Sequence, residues 1–282
     1  MCCYSTLAAR PPPLRRAASF SCGVQSQHEE IIYGRNAVYE TLRAARRQFF
    51  GLQLAETVKE AGRVHQILEL AASRRVPVTR TPRLKLPAAD VNHQGVALEV
   101  SGYVYCDLVD ILDRARSKGE QAFVLMLDSL QDPQNFGSLL RTAEVVGVHG
   151  VIIPLARTVE VTPAVVNASA GASEHLLVAP SNLARAAAAL KHENLWIVGL
   201  DERGEALGAG TNRHLRGALA LVVGSEGEGL HDLTRRNCDI LLQLPMQGNI
   251  ASLNAAVAGS VALYLAYLAR RLADKTAERV ES

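Results

Sequence analysis

Cysteine is scarce in this 282-residue chain: Cys2, Cys3, Cys22, Cys106 and Cys238 form an odd set of five with no C-x-x-C pair. That excludes a disulfide framework and a cysteine zinc site, and it fits a reducing compartment. The eight histidines include no H-E-x-x-H and no close pair, which argues against a metal enzyme. Neither G-x-x-x-x-G-K-[ST] nor G-x-G-x-x-G occurs, so the two common phosphate-binding glycine loops are absent. Aromatics reach only 5%, too few for an RNA-recognition sheet built on stacked bases. There is no secretory-type apolar segment. The uncharged stretch 248–269 approaches the length of a membrane span, but alanine dominates it and Asn249, Ser252, Asn254 and Ser260 interrupt it. Its second half reads as a buried helix packed through small residues, in a soluble protein with no membrane partner. A net charge of +2 excludes a polycation.

What is present is a chain 48% apolar and long enough for two domains. Charge is unevenly spread. Residues 1–100 hold 14 basic and 8 acidic side chains, and 101–282 hold 16 and 20. A basic first part suggests that a polyanion meets the N-terminal region first. Residues 1–30 form an extension; its first 28 residues are Arg- and Ser-containing, free of acid and broken by Pro11–Pro13. The composition fits an organellar transit peptide, a disordered extension or an over-long translation start.

Ordered structure is expected from Ile31. Asn36 can cap a helix through Leu42; 49–54, 76–79 and 95–100 read as strands, and 58–74 has helical spacing. Residues 31–100 thus make a compact α/β unit, and the polar stretch 101–120 a partly helical linker. From 121 to 273, apolar runs at 123–127, 151–153, 195–200, 219–223 and 240–244 alternate with helices near 136–147, 162–169, 182–191, 229–237 and 253–272. That alternation predicts a mostly parallel sheet covered on both faces, with ligands at the loops after the strand C-termini.

Three such loops carry polar chemistry. The first, D-S-L-Q-D-P-Q-N-F-G-S-L-L-R-T-A (128–143), ends a strand and opens a helix with Asn135 near its start and Arg141 less than two turns on. The bland reading makes Asn135 a cap and Arg141 a solvated charge. The second, V-V-G-S-E-G-E-G-L (222–230), puts three glycines after an apolar strand, where backbone can approach a ligand closely. Glu226 and Glu228 would repel phosphate, so a neutral or cationic small molecule suits it better, unless it is only a tight turn. The third, L-P-M-Q-G-N-I-A-S-L-N-A-A-V-A (244–258), leads into an Ala-rich helix with Ser252 as a natural cap. Asn254 opens an otherwise apolar helix and needs a partner if buried.

Together, in this order and spacing, the three segments resemble the motifs of the SpoU (TrmH-like) RNA ribose 2′-O-methyltransferases of the SPOUT superfamily. Residues 31–100, with Y-G-R-N-A-V (33–38) and H-Q-G-V (93–96), are similar to the N-terminal RNA-binding domain of the subgroup that methylates a guanosine of 23S ribosomal RNA. The resemblance implies a small N-terminal α/β RNA-binding domain and a C-terminal α/β catalytic domain with a trefoil knot. It also implies bound S-adenosylmethionine, no metal and a homodimer. Cofactor contacts would fall at Gly224, Leu244 and Leu253, largely through backbone. The reaction centre would hold Asn135, Arg141, Glu226, Ser252 and Asn254.

A ribose 2′-hydroxyl must lose its proton as it attacks the sulfonium methyl group, so positioning and general-base help are required. The family proposal gives the base role to Arg141, but an arginine stays charged. Its preferred role is therefore to grip the target phosphate and orient the hydroxyl, with relay of the proton left open. Glu226 would hold Arg141 or counter the sulfonium; Asn135, Ser252 and Asn254 would fix the base and ribose. Arg35, Arg43, Arg46, Arg47, Arg63, Arg74, Arg75, Arg80, Arg83 and Lys85 are candidates for RNA phosphates, fewer than half of them expected to matter. The competing readings are a tRNA ribose methyltransferase and a non-catalytic RNA-binding assembly factor. The compartment expected is the cytoplasm, or an organelle if residues 1–30 are a transit peptide.

Overall fold

The computed structural model describes residues 29–281 except 87, 89, 90, 157, 158, 209–211, 226, 250 and 251, with no side chains after 273. The extension read in residues 1–30 thus lies outside the described residues but for its last two.

The first unit is a four-stranded sheet in the order β1-β4-β2-β3. Here β1 is Glu30–Tyr33, β2 Phe49–Ala55, β3 Val78–Thr81 and β4 Val96–Val100. β4 pairs antiparallel with β1 and β2, and β3 lies parallel to β2. Helices α1 (Arg35–Ala44) and α2 (Arg63–Ser73) bury Val38, Leu42, Val64 and Ile67. Two local expectations change. The residue before α1 is Gly34, at φ 86, so Asn36 stands inside the helix, exposed, rather than capping it. α2 begins five residues later than expected, after Gly62 at φ 57, because Val58 turns away to pack on Gly95.

The segment 101–120 contains α3 (Leu108–Ser117), whose start is fixed by Asp110 accepting from the Asp107 backbone N–H at 2.9 Å. Its apolar face, Ile111, Leu112 and Ala115, is buried in the second sheet's core. Gly150 permits this contact, since a Cβ there would lie 2.5 Å from Ile111.

That second sheet is fully parallel, in the order β10-β8-β9-β5-β6-β7. The strands are β5 Phe123–Leu127, β6 Gly150–Pro154, β7 Leu177–Ser181, β8 Trp196–Ala206, β9 Leu219–Val223 and β10 Ile240–Gln243. Strand side chains alternate between two cores. Leu125, Leu127, Leu221 and Val223 pack with α4 (Pro133–Val145) and α8 (Ala255–Glu281); Val124, Met126, Ala220 and Val222 pack with α3 and α6 (Leu183–His192). Short helices α5 (Pro163–Ala168) and α7 (Asp232–Asn237) complete the set. β7, not anticipated, is an edge strand that tolerates Pro180.

A buried ionic cluster joins the two units. Arg47, 5% exposed, donates to Glu30 on β1 at 2.6 Å and to Glu174 on the 3-10 helix Ala172–His175 at 2.7 and 3.0 Å. Arg46 donates to the carbonyls of Leu176 and Val104, and His175 meets Glu40 at 2.8 Å. Arg46 and Arg47 are therefore struts between domains and drop out as RNA contacts.

Candidate functional site

Every β5–β10 strand ends on the same side, and there three loops close around a cavity of about 220 Å³. The loop after β9 folds into a tight hairpin in which Ser225 and Gly229 exchange backbone hydrogen bonds at 3.0 and 3.2 Å. Gly227 and Gly229 stand at φ 93 and 66, positions that suit glycine. Gly224 is glycine for another reason: a Cβ would fall 2.2 Å from the Gly229 carbonyl carbon. The hairpin can thus fold flat only over a bare backbone.

A second wall comes from β8. Its pairing with β10 jumps from Gly199↔Leu241 to Glu205↔Leu242, so 200–204 leave the ladder and bulge toward the cavity. Asp201, its side chain 3% exposed, is held by Arg235 Nε at 2.8 Å, and Arg235 also donates to the Leu230 carbonyl at 2.7 Å. The third wall is the segment after β10, with Leu244, Met246, Ser252 and Leu253.

Gly224, Leu244, Leu253 and Ser252 therefore share one cavity. Ser252 is not the cap of α8. That role belongs to Asn254, whose Oδ1 accepts from the N–H groups of Ala256 at 2.9 Å and Val257 at 3.2 Å. Its other amide atom, Nδ2, donates to Asn135 Oδ1 at 3.1 Å. Asn135 is not a cap either. Asp132 caps α4, accepting from Gln134 and Asn135 N–H at 3.3 and 3.0 Å, with Pro133 in the first turn. Arg141 stands about 9 Å further along α4. It is exposed and lines a shallow groove with Thr142, Val145, Ser260, Val261 and Tyr264, apart from the cavity. Glu226 lies outside the described residues.

Some residues that hold the site were missed in the sequence. Asp128, 4% exposed at the end of β5, accepts from the His231 backbone N–H at 2.9 Å and meets its Nδ1 at 3.0 Å. This ties the first motif to the far end of the glycine hairpin, as Arg235 ties the hairpin to the β8 bulge. A polar residue closing an apolar strand was the available signal for Asp128; none existed for Arg235. Burial pushes the Cys238 thiol up to about 12, which disfavours its thiolate.

The cavity combines exposed glycine backbone, apolar Val223, Leu242 and Leu253, and five charged side chains: Asp201 and Arg235, which pair with each other, and Glu202, Glu228 and Arg203. Glycine backbone and apolar side chains suit a flat, partly apolar molecule, and Glu202 and Glu228 outweigh Arg203 by one charge. Among the described residues no cluster of three metal-ligating side chains occurs.

Residues 122–264 match the SpoU rRNA methylase family, and 31–106 match an RNA 2′-O ribose methyltransferase substrate-binding domain. YacO of Bacillus subtilis (strain 168), assigned to the TrmH family of tRNA/rRNA methyltransferases, is 43% identical over 250 residues, 87% of this chain and 98% of its own. A protein of the same assignment from Staphylococcus aureus (strain MSSA476) is 38% identical over 240 residues, 84% and 94% of the two chains. The SpoU methyltransferase AviRb from Streptomyces viridochromogenes, solved in complex with AdoMet, superposes with a TM-score of 0.65 at 22% identity, covering 85% of this chain and 89% of its own. A structure described as an RNA 2′-O ribose methyltransferase gives 0.66 at 24% identity, covering 88% and 90%. By these matches over both its domains, the chain belongs to the SpoU rRNA methylase family and is an RNA methyltransferase of the SpoU/TrmH type.

Proposed function

We propose that the protein methylates the ribose 2′-hydroxyl of a guanosine in 23S (large-subunit) ribosomal RNA, with S-adenosylmethionine as donor. The observation that carries this reading is the cavity beneath the Gly224 hairpin, with Asn135 and Asn254 bonded to each other from the motifs that flank it. S-adenosylmethionine supplies an electrophilic methyl group when bound. Gly224, Leu244 and Leu253 would hold it, and Glu202 and Glu228 favour its positive charge. Arg141 grips the phosphate beside the target ribose, Asn135 and Asn254 orient the ribose, and Ser252 offers a hydroxyl at the cavity wall. Glu226 keeps the role of countering Arg141 or the sulfonium. The separate N-terminal unit favours ribosomal RNA over tRNA.

A homodimer belongs to this reading. On α8, Ala262, Leu263, Ala266 and Ala269 face the core, while Val257, Val261, Tyr264 and Leu268 form an exposed apolar stripe at 41–49%. A second copy would cover the stripe and bring Arg141 to the boundary between protomers. The helix is long and apolar enough to cross a membrane by length and composition, yet its division into a packed and an open face fits pairing with protein. The trefoil threading that the family resemblance implies belongs to this reading as well. The compartment proposed is the cytoplasm.

The test is transfer of a labelled methyl group to unmodified 23S RNA and to bulk tRNA in parallel, followed by digestion to nucleosides. Label in 2′-O-methylguanosine from 23S RNA alone is the expected result. Label in tRNA alone overturns the substrate, and no label on either RNA with the donor bound favours the assembly-factor reading.

A further inference from the structure

Several cations of the N-terminal unit are already paired with carboxylates. Arg43, Arg80 and Lys85 each meet a carboxylate, of Glu40, Glu60 and Glu99, and Arg47 is sealed between Glu30 and Glu174. Arg35 and Lys59 have no carboxylate partner among the described residues, and both line one cleft with Thr57, His93, Gln94 and Gly95. No acidic side chain lines that cleft.

The cleft is built rather than incidental. A Cβ on Gly95 would lie 2.0 Å from Val58 Cγ2, so glycine at φ 79 lets the loop carrying Lys59 seat against the strand. Gln94, itself at φ 50, orients Arg35: its Oε1 accepts from the Arg35 backbone N–H at 3.1 Å and its carbonyl from Nε at 3.2 Å. The terminal guanidinium nitrogens then have no partner among the described residues. His93 Nδ1 accepts from the Gly95 N–H at 2.9 Å, which puts the ring proton on Nε2 and makes that edge a donor. Arginine, lysine and this histidine edge thus offer donors only. The cleft lies open at the surface of the N-terminal unit and shares no lining residue with the donor cavity.

We propose that this groove grips the sugar–phosphate backbone of the RNA substrate, at a site separate from the methyl-transfer cavity. The proposal rests on the reading of the protein as an RNA methyltransferase and names where its substrate is held.

The test is filter binding of a protein-free 23S transcript to the full chain at several salt concentrations, with methyl transfer scored in the same samples. Lys59→Gln and Arg35→Gln are each expected to weaken binding roughly 3- to 10-fold and to lower the salt slope by about one. Arg185→Gln and Arg236→Gln, exposed cations on α6 and α7 of the second unit, should change neither. Lys59 has no structural partner, so Lys59→Gln tests the groove even if Arg35→Gln disturbs the fold. Groove variants that bind like these controls overturn the proposal. Weakened binding by Lys59→Gln, in a wild-type chain that methylates neither 23S RNA nor tRNA, supports the groove while overturning the proposed reaction.

Discussion

Asn254 and Asn135, 119 residues apart, share a 3.1 Å hydrogen bond in which one amide serves two elements at once. Oδ1 of Asn254 caps α8 while its Nδ2 holds the start of α4. Asn254→Ala should lose both, lowering stability by about 1 kcal/mol for the cap and impairing methyl transfer. Asn254→Ser keeps a capping oxygen but has no amide donor, so melting temperature should recover while activity stays low. Thermal unfolding and labelled-methyl transfer, run on both variants, separate the roles; full activity in Asn254→Ser would remove the bridge from the mechanism.

Gly224→Val places side-chain atoms where the Gly229 carbonyl already lies. The hairpin must open, and donor affinity should fall at least 10-fold by calorimetry while RNA affinity holds. The cause is a clash of the hairpin with itself, in addition to crowding of the ligand. Wild-type donor affinity in this variant would place the donor elsewhere.

Arg141 lies outside the donor cavity. Arg141→Ala should therefore leave the donor dissociation constant within about twofold while methyl transfer drops by roughly two orders of magnitude, the scale of a lost positioning or proton-transfer contact. Parallel loss of donor binding in calorimetry would contradict this separation.

The exposed stripe on α8 gives a test of assembly. Val261→Glu adds a charge to its centre, where Val261 is 41% exposed. Sedimentation should show the wild type as a dimer and the variant as a folded monomer with little methyl transfer. A monomeric wild type would leave the stripe without this partner.

His149 is nearly fully buried, and burial holds its imidazole below the usual histidine range against the opposing pull of Glu120. Its Nδ1 accepts from the Phe123 N–H at 3.0 Å, a bond that only the neutral ring can make. The unfolded chain takes up this proton more readily than the fold. The stability His149 contributes is thus present above the unfolded histidine pKa near 6.5 and is lost as pH falls through its lower folded value. Denaturant midpoints from pH 7 down to 5 should fall with acid in the wild type and less so in His149→Gln.

The parallel sheet and its three loops were legible because apolar runs, glycines and prolines are local signals. Gly224, Leu244, Ser252 and Leu253, all in segments that follow strands, line one cavity. The choice between Ser252 and Asn254 as cap was not legible, since both residue types cap well and only the path of the chain after β10 decides. Nor was the bulge at 200–204, which depends on how far β10 shifts along β8. The Arg47 cluster was hidden for a related reason: its two carboxylates lie 17 and 127 residues away in sequence.

That cluster has a consequence for target choice. Removing Arg47 or Glu174 would strand a buried charge, at a cost of about 3–5 kcal/mol, so the cluster resists separation of the two units. On the proposed groove, the span from Arg35 to the donor cavity would act as a ruler laid against folded RNA, and the ribose at its far mark would be the one presented for methylation.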